Sequence, residues 1–253
     1  SRNDAEREAR IMESYLSKNV DGIILTITSD ANRTQIERLV ERDYPLILLG
    51  RHFSDIESYY VAIDNAKVSR DAVEYLQGRG HRKIYFLTLD LKHSPDRERL
   101  QGFAAAVARN PSDNCRTILY DGSLKETHRY EVQAKAGYEM TWDLLLKKDL
   151  PSAFFASNDY IAMGCMRACY EAGVSIPGEV SLIGAGNMLI PELQIKRLTT
   201  FDPHAETMGA IAAGKLCALI EEGKQEAGGG IGGRGTILEM DLVEAETVGK
   251  AGI

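Results

Sequence analysis

The sequence has few cysteines and arranges them in no recognisable pattern. The four, Cys115, Cys165, Cys169 and Cys217, form neither a CxxC pair nor a zinc-ligand spacing. A disulfide-stapled small fold and a structural zinc site are thereby excluded, and free buried thiols in a reducing compartment are expected. No apolar run approaches the roughly 18 residues needed to span a bilayer, and no signal peptide is visible. A cytoplasmic protein without membrane contact is expected. Basic charge is also in short supply, with 30 Lys and Arg against 37 Asp and Glu for a net charge of −7. A chain that gripped nucleic-acid phosphates unaided would carry a basic cluster, and here the basic residues are dispersed.

Catalytic patterns are missing too. His52, His81, His93, His128 and His204 are scattered, with no HExxH and no i, i+4 pair, so surface or capping roles are expected for them. There is no GxSxG elbow and no coherent carboxylate pair. No enzyme activity, cofactor or metal is expected. Gly230, Gly232 and Gly235 satisfy GxGxxG, but a dinucleotide fingerprint needs a strand before it and a helix after it, and here the order is reversed. Gly209, Gly214 and Lys215 approach a phosphate loop, yet Leu216 stands where a Ser or Thr is needed. That segment also reads as mid-helix, where backbone N–H groups are already committed. Asn32-Arg33-Thr34 is a glycosylation sequon only in form, since it would matter only in a secreted protein.

What the sequence does contain is a regular alternation. With 253 residues and 44% hydrophobic content it can build one large α/β domain or two modest lobes. Short apolar runs predict strands at Val20 to Thr28, Leu46 to Leu49, Tyr60 to Ile63, Ile84 to Leu89, Thr117 to Tyr120, Ala153 to Ala156, Val180 to Ile183 and Thr236 to Leu242. Amphipathic spacing predicts helices at Glu6 to Asn19, around Ile36 to Val40, and at Val68 to Leu76, Glu98 to Arg109, Val132 to Leu146, Ile161 to Glu171 and Glu206 to Ile220. Strands apolar through their centres and separated by helices indicate parallel sheets covered on both faces. Ligands of such sheets sit beyond the strands' carboxyl ends, so the residues just after each strand are the candidates.

A series of segments, in order along nearly the whole chain, resembles the LacI family of bacterial transcription regulators. Val20-Asp21-Gly22-Ile23-Ile24-Leu25 and Tyr44-Pro45-Leu46-Ile47-Leu48-Leu49-Gly50-Arg51 look like two of its strands. Val61, Asp64 and Asn65 followed by Gly80-His81-Arg82-Lys83-Ile84 fit its "V..DN" and "GHR.I" signatures, and Arg99, Gly102 and Phe103 fit its "R..GF" helix. Asn158-Asp159 with Ala162 and Gly164 fit "ND..A.G", Pro177 to Gly184 fit "P.dvsviG", and Leu198-Thr199-Thr200 with Met208 and Gly209 fit "LTT....emG".

The resemblance implies an α/β fold of two lobes of the periplasmic-binding-protein-like type, each a parallel-sheet sandwich, joined by crossover strands. It would place residues 1–80 and 203–226 in an N-terminal lobe and 81–202 and 227–253 in a C-terminal lobe. It further implies a sugar or similar small polar effector bound between the lobes, a homodimer, and repressor-type control of operator DNA through a helix-turn-helix absent from this chain. A periplasmic solute-binding protein of a transporter shares the fold and is the alternative.

Six residues are expected to contact the effector: Arg99, Asp159, Asn158, Arg51, Asn187 and Thr26. Arg99 lies early on its expected helix, where a cation is disfavoured by the dipole unless an anion or hydroxyl cluster is near; a salt bridge with Asp96 or Glu98 is the structural alternative. Asn158 and Asp159 follow a strand and open a helix, so either can cap it or face a ligand, and Asp159 is read as cap or contact about equally. Arg51 and Thr26 end strands of the other lobe, and Tyr130 is a possible stacking platform. Where the family reads "GfDd", this chain has Gly184-Ala185-Gly186-Asn187, so Gly186 replaces a ligand-gripping aspartate and Asn187 is its candidate substitute.

Overall fold

The run Ile84-Tyr85-Phe86-Leu87-Thr88 carries no polar side chain until Thr88, apart from one phenol, and all five residues are buried. Such a strand fits only the middle of a sheet covered on both faces. A computed structural model describes residues 5–27, 32–89, 94–111, 113–120, 129–190, 192, 194–222 and 234–252. The chain divides into two units, Ser1–Asp64 with Pro203–Glu239, and Asn65–Asp202 with Met240–Ile253.

The first unit holds α1 (Ala5–Ser17), β1 (Ile23–Leu25), α2 (Arg33–Val40), β2 (Leu46–Gly50), β3 (Tyr59–Ile63), α7 (Ala205–Glu222) and β9 (Gly235–Leu238). Its sheet runs in the order β1-β2-β3-β9 with every pairing parallel. Met12, Ile23, Leu25, Ile36, Leu39, Leu46 and Leu48 form its core, drawn from both helices and strands. The glycines and lysine that resembled a phosphate loop, Gly209, Gly214 and Lys215, lie inside α7, as their spacing predicted.

The second unit holds α3 (Asn65–Gly78), β4 (Ile84–Thr88), α4 (Ser94–Val107), β5 (Arg116–Leu119), α5 (Tyr130–Leu146), β6 (Ala153–Ala156), α6 (Asp159–Glu171), β7 (Ser181–Ile183), β8 (Thr200–Asp202) and β10 (Asp241–Val243). Its sheet runs β5-β4-β6-β7, again all parallel, while β10 and β8 form a separate antiparallel pair. Phe86 stacks between Phe103 and Phe155, with ring centroids 5.3 and 4.9 Å away, locking α4 and β6 onto β4. Helices α5 and α6 pack backbone to backbone: a Cβ on Gly137 would collide with the Ile161 carbonyl, and one on Gly164 with the Ala134 carbonyl.

The α/β architecture and parallel sheets agree with the sequence reading, and four details differ. Residues 65–80 were expected in the first lobe but group with the second unit, because Gly102 lets α4 meet the backbone of Ala66 and Asn65 donates to Glu98 Oε2 at 2.9 Å. The expected strand Thr236 to Leu242 is two strands: β9 pairs with β3, and β10 pairs with β8 in the other unit. With β9 in the first unit, the boundary expected at 226 and 227 moves to Glu239 and Met240. β8 itself, three residues long, was read as a motif rather than as a strand.

Candidate functional site

Parallel strands of the second unit end side by side at Thr88 on β4 and Ser157 just past β6. The Ser157 N–H donates to Leu87 O at 2.8 Å, so the ladder continues one residue beyond the strand. Both hydroxyls are buried, and among the described residues neither Thr88 Oγ1 nor Ser157 Oγ has a hydrogen-bond partner. A buried hydroxyl without a partner is costly, and it marks a place where a ligand or ordered water completes the bonding.

Arg99 comes to the same strand ends from α4. Its Nη1 donates to the Ser157 carbonyl and its Nε to Asn65 Oδ1 at 3.1 Å. Burial pulls the guanidinium below its ordinary pKa, opposed by the fields of Asp96, Asp159 and Glu98. The group remains a cation, since arginine does not deprotonate in proteins. Glu98 reaches Arg99 through Asn65, taking its amide while Asn65 Oδ1 accepts from Arg99, and Asp96 and Glu98 both act on the guanidinium through their charge. The dipole argument also loses force, because α4 begins at Ser94 and Arg99 stands in its second turn.

Asn158 and Asp159 divide the two roles that the sequence left open between them. Asn158 is the N-cap of α6, its Oδ1 accepting from the N–H groups of Tyr160 and Ile161 at 3.0 and 3.1 Å. Asp159 is therefore freed from capping. It is fully buried; its Oδ1 accepts the Thr200 hydroxyl at 2.5 Å and its Oδ2 the Met188 N–H at 2.7 Å. Burial raises its pKa above the usual carboxylate value, partly offset by those bonds, by Ala185 N–H and by the Arg99 charge. The loop that Asp159 holds allows little bulk: a Cβ at Gly184 would strike Asp159 Oδ1, and Gly186 has φ +130°, a conformation that side chains strain to adopt.

Asn187 is exposed, and its amide donates to Asp202 Oδ2 at 3.0 Å, which braces the loop. Thr26 and Arg51 belong to the first unit, just past β1 and β2; Thr26 is exposed and Arg51 is buried. Tyr130 is exposed and tilts against Tyr160 with centroids 5.5 Å apart. Asn65, Thr88, Ser157 and Thr200 were missed as site residues. Thr88 and Ser157 had a usable signal, as the first hydroxyls after all-apolar runs; Asn65 and Thr200 lay inside the quoted motifs and were read only as part of the resemblance.

Cysteines and histidines follow their own logic. Cys165 and Cys169 are buried free thiols on α6, while Cys115 is half-buried and Cys217 exposed, which corrects the expectation that all four are buried. His81, expected at the surface, is 2% exposed because its ring sits under the chain's last segment with Nε2 donating to Gly249 O at 3.2 Å. Burial pulls its pKa down. His52 stacks on Tyr60 at 3.8 Å. His93, His128, Gly230, Gly232 and Thr28 lie outside the described residues. Among the described residues no group of His, Cys, Asp and Glu could hold a metal ion, and no helix is long and apolar enough to cross a membrane.

Residues 73–230 match the model of the periplasmic binding protein-like domain. Among similar proteins, a probable HTH-type transcriptional repressor ExuR from Bacillus subtilis is 28% identical over 85% of the chain and 62% of its own length. The ribose operon repressor of Escherichia coli is 27% identical over 87% of the chain and 64% of its own length. The chain thus spans less than two thirds of either relative. A solved LacI family transcriptional regulator from Enterococcus faecium with bound ribose superposes with a TM-score of 0.76 at 25% identity, covering 97% of this chain and 84% of that one.

Proposed function

Because the chain belongs to the periplasmic binding protein-like domain family, we propose that it is the effector-sensing part of a LacI-type transcription regulator. Its effector is a sugar or a similarly small polar metabolite, and occupancy changes operator affinity in the full-length dimer. The observation that carries this reading is the buried polar cluster at the carboxyl ends of β4 and β6. There a cation with neutral hydrogen-bond partners, Arg99, stands beside two unpartnered hydroxyls, Thr88 and Ser157, and the carboxylate Asp159. Neighbouring hydroxyls of a polyol offer both donors and acceptors to such a set.

The planar fork of Arg99 grips paired oxygens, and Asp159 places the loop 184–188 that borders the cluster. Asn158 acts through Asp159, by fixing the start of α6. Asn187 braces the same loop. The ribose seen in the Enterococcus faecium relative makes a pentose the first probe. Regulation, in the cytoplasm and without turnover of the bound metabolite, is preferred to transport because the similar proteins carry repressor names.

Titration calorimetry against D-ribose and a panel of small sugars tests the proposal, with Arg99→Ala and Asp159→Ala alongside. Loss of about tenfold or more in affinity is expected for each, the scale of a hydrogen bond to a charged group. Unchanged affinity in both variants overturns the site.

A further inference from the structure

The polypeptide passes between its two units three times, at Asp64 to Asn65, Asp202 to Pro203 and Glu239 to Met240. Each passage is tied to the candidate site by residues that lie wholly within the second unit. At the first, Asn65 is the opening residue on the second-unit side; it is 4% exposed and its Oδ1 receives Arg99 Nε at 3.1 Å. Its amide nitrogen is engaged by Glu98 at 2.9 Å, so the side chain is held from both ends.

At the second passage, Thr200 stands two residues before the unit boundary and donates to Asp159 Oδ1 at 2.5 Å. Asp202, the last residue before the boundary, accepts from Asn187 on the loop that Asp159 also holds. The third passage is joined to both others through the backbone: the Asp64 N–H donates to Leu238 O at 2.9 Å, and β10 pairs with β8 in the register Asp241 to Asp202 and Val243 to Thr200.

We propose that Asn65 and Thr200 are positioning residues that couple occupancy of the Arg99 and Asp159 site to the three chain passages. A ligand that takes up Arg99's fork competes with or reinforces the bond to Asn65, and one that draws on Asp159 does the same to Thr200. Binding and the conformation of the passages then share hydrogen bonds, which is the condition for linkage between a site and a conformational equilibrium. Two separate ties divide the coupling on the second-unit side, Asn65 answering to Arg99 and Thr200 to Asp159, while the first and third passages are joined to each other in the first unit, where the Asp64 N–H donates to Leu238 O at 2.9 Å. The ligand half of this inference rests on the sensing function proposed above, whereas the ties themselves do not.

The test is residue-resolved amide exchange on the full chain, first without ligand. Thr200→Val keeps the shape and removes the hydroxyl, and Thr200→Ser restores it. Arg99→Met keeps an apolar stem without the fork, and Arg99→Lys serves if the first does not fold. Thr200→Val is expected to speed exchange about tenfold at residues 200–204 and 241–243, with 65–67 unchanged and Thr200→Ser at the wild-type rate. Arg99→Met is expected to do the converse, speeding 65–67 and leaving 200–204 unchanged. Uniform acceleration across the second unit, or no change at the passages, overturns the proposal.

The second arm adds D-ribose and the sugar panel to wild type and to Asn65→Ala. Bound sugar is expected to slow exchange at 65–67 in wild type and not in Asn65→Ala, even at saturation. Saturating sugar that leaves 65–67 unaltered in wild type overturns the coupling. Absence of any sugar binding to wild type removes the proposed effector class, while the ties stand or fall on the unliganded arm.

Discussion

The Thr200 hydroxyl donates to Asp159 Oδ1 at 2.5 Å in a fully buried setting, joining the first residue of α6 to β8. That bond, with those from Met188 and Ala185, stabilises a carboxylate whose burial raises its pKa above the ordinary 3.8. A carboxyl with a raised folded-state pKa contributes stability that is fully present below the unfolded value and lost as pH rises through the folded one. Urea midpoints of wild type and Asp159→Asn, taken from pH 3.8 upward, are expected to diverge over this window. The wild-type curve carries an Asp159 component that falls with rising pH, and the variant lacks it. Parallel curves would show that Asp159 ionises in the fold as it does in water.

Thr88 and Ser157 separate a binding role from a structural one. Replacing an unpartnered buried hydroxyl by an apolar group of similar shape is neutral or stabilising, by up to about 1 kcal/mol. Thr88→Val and Ser157→Ala are therefore expected to leave the unliganded urea midpoint unchanged or raised, while sugar affinity by calorimetry falls several-fold. Loss of stability without loss of affinity would assign both hydroxyls to the fold.

His81 supplies an acid-side dependence of the opposite sign. Burial lowers its pKa from 6.5, opposed by the bond to the Gly249 carbonyl. A depressed folded-state pKa contributes stability that is present above the unfolded value and lost as pH falls through the folded one. Thermal unfolding of wild type is expected to shift downward between pH 7 and pH 5, and His81→Gln is expected to flatten that component. An equal pH slope in the two proteins would exclude His81 as its source.

The crossing of α5 and α6 leaves no room at Gly164, where a Cβ would meet the Ala134 carbonyl and the Tyr138 N–H. Gly164→Ala gains about 1 kcal/mol of intrinsic helix propensity and loses more to overpacking, which costs about 1–3 kcal/mol. Net destabilisation in urea is expected, in contrast to Gly214→Ala on α7, where a Cβ meets nothing within 4 Å and a gain is expected. Stabilisation of both variants would show that the helices separate readily.

The strand positions were legible because burial on both faces leaves an apolar signature that needs no partner to be read: Leu46 to Leu49, Ile84 to Thr88 and Ala153 to Ala156 appear in the sequence as they do in the sheets. Helix starts were less legible. The expected helices at Val68, Glu98, Val132 and Ile161 begin at Asn65, Ser94, Tyr130 and Asp159, because a first turn is set by caps and loop geometry before apolar periodicity begins. The single strand expected at Thr236 to Leu242 became two because alternation does not say which sheet a strand joins.

For the site, place after a strand made Asp159 a candidate, and place on a helix with the family resemblance made Arg99 one. The division of labour between Asn158 and Asp159 was not readable, since both residues suit a cap and only backbone geometry puts Asn158 in the extended conformation that caps α6. Nor could sequence show Asn187 turned toward Asp202, or Asn65 joined to Arg99 across 34 positions.

By itself the sequence determined the α/β class, the parallel character of the sheets and the membership in a ligand-binding family, because these follow from local composition and ordered motifs. Tertiary structure decided which unit holds each segment, which polar groups are left unpartnered, and how Asn65 and Thr200 connect the site to the chain's passages. Hydrogen bonds between residues distant in sequence depend on where the backbone has been brought, and that is settled by packing of the whole unit rather than by any segment within it.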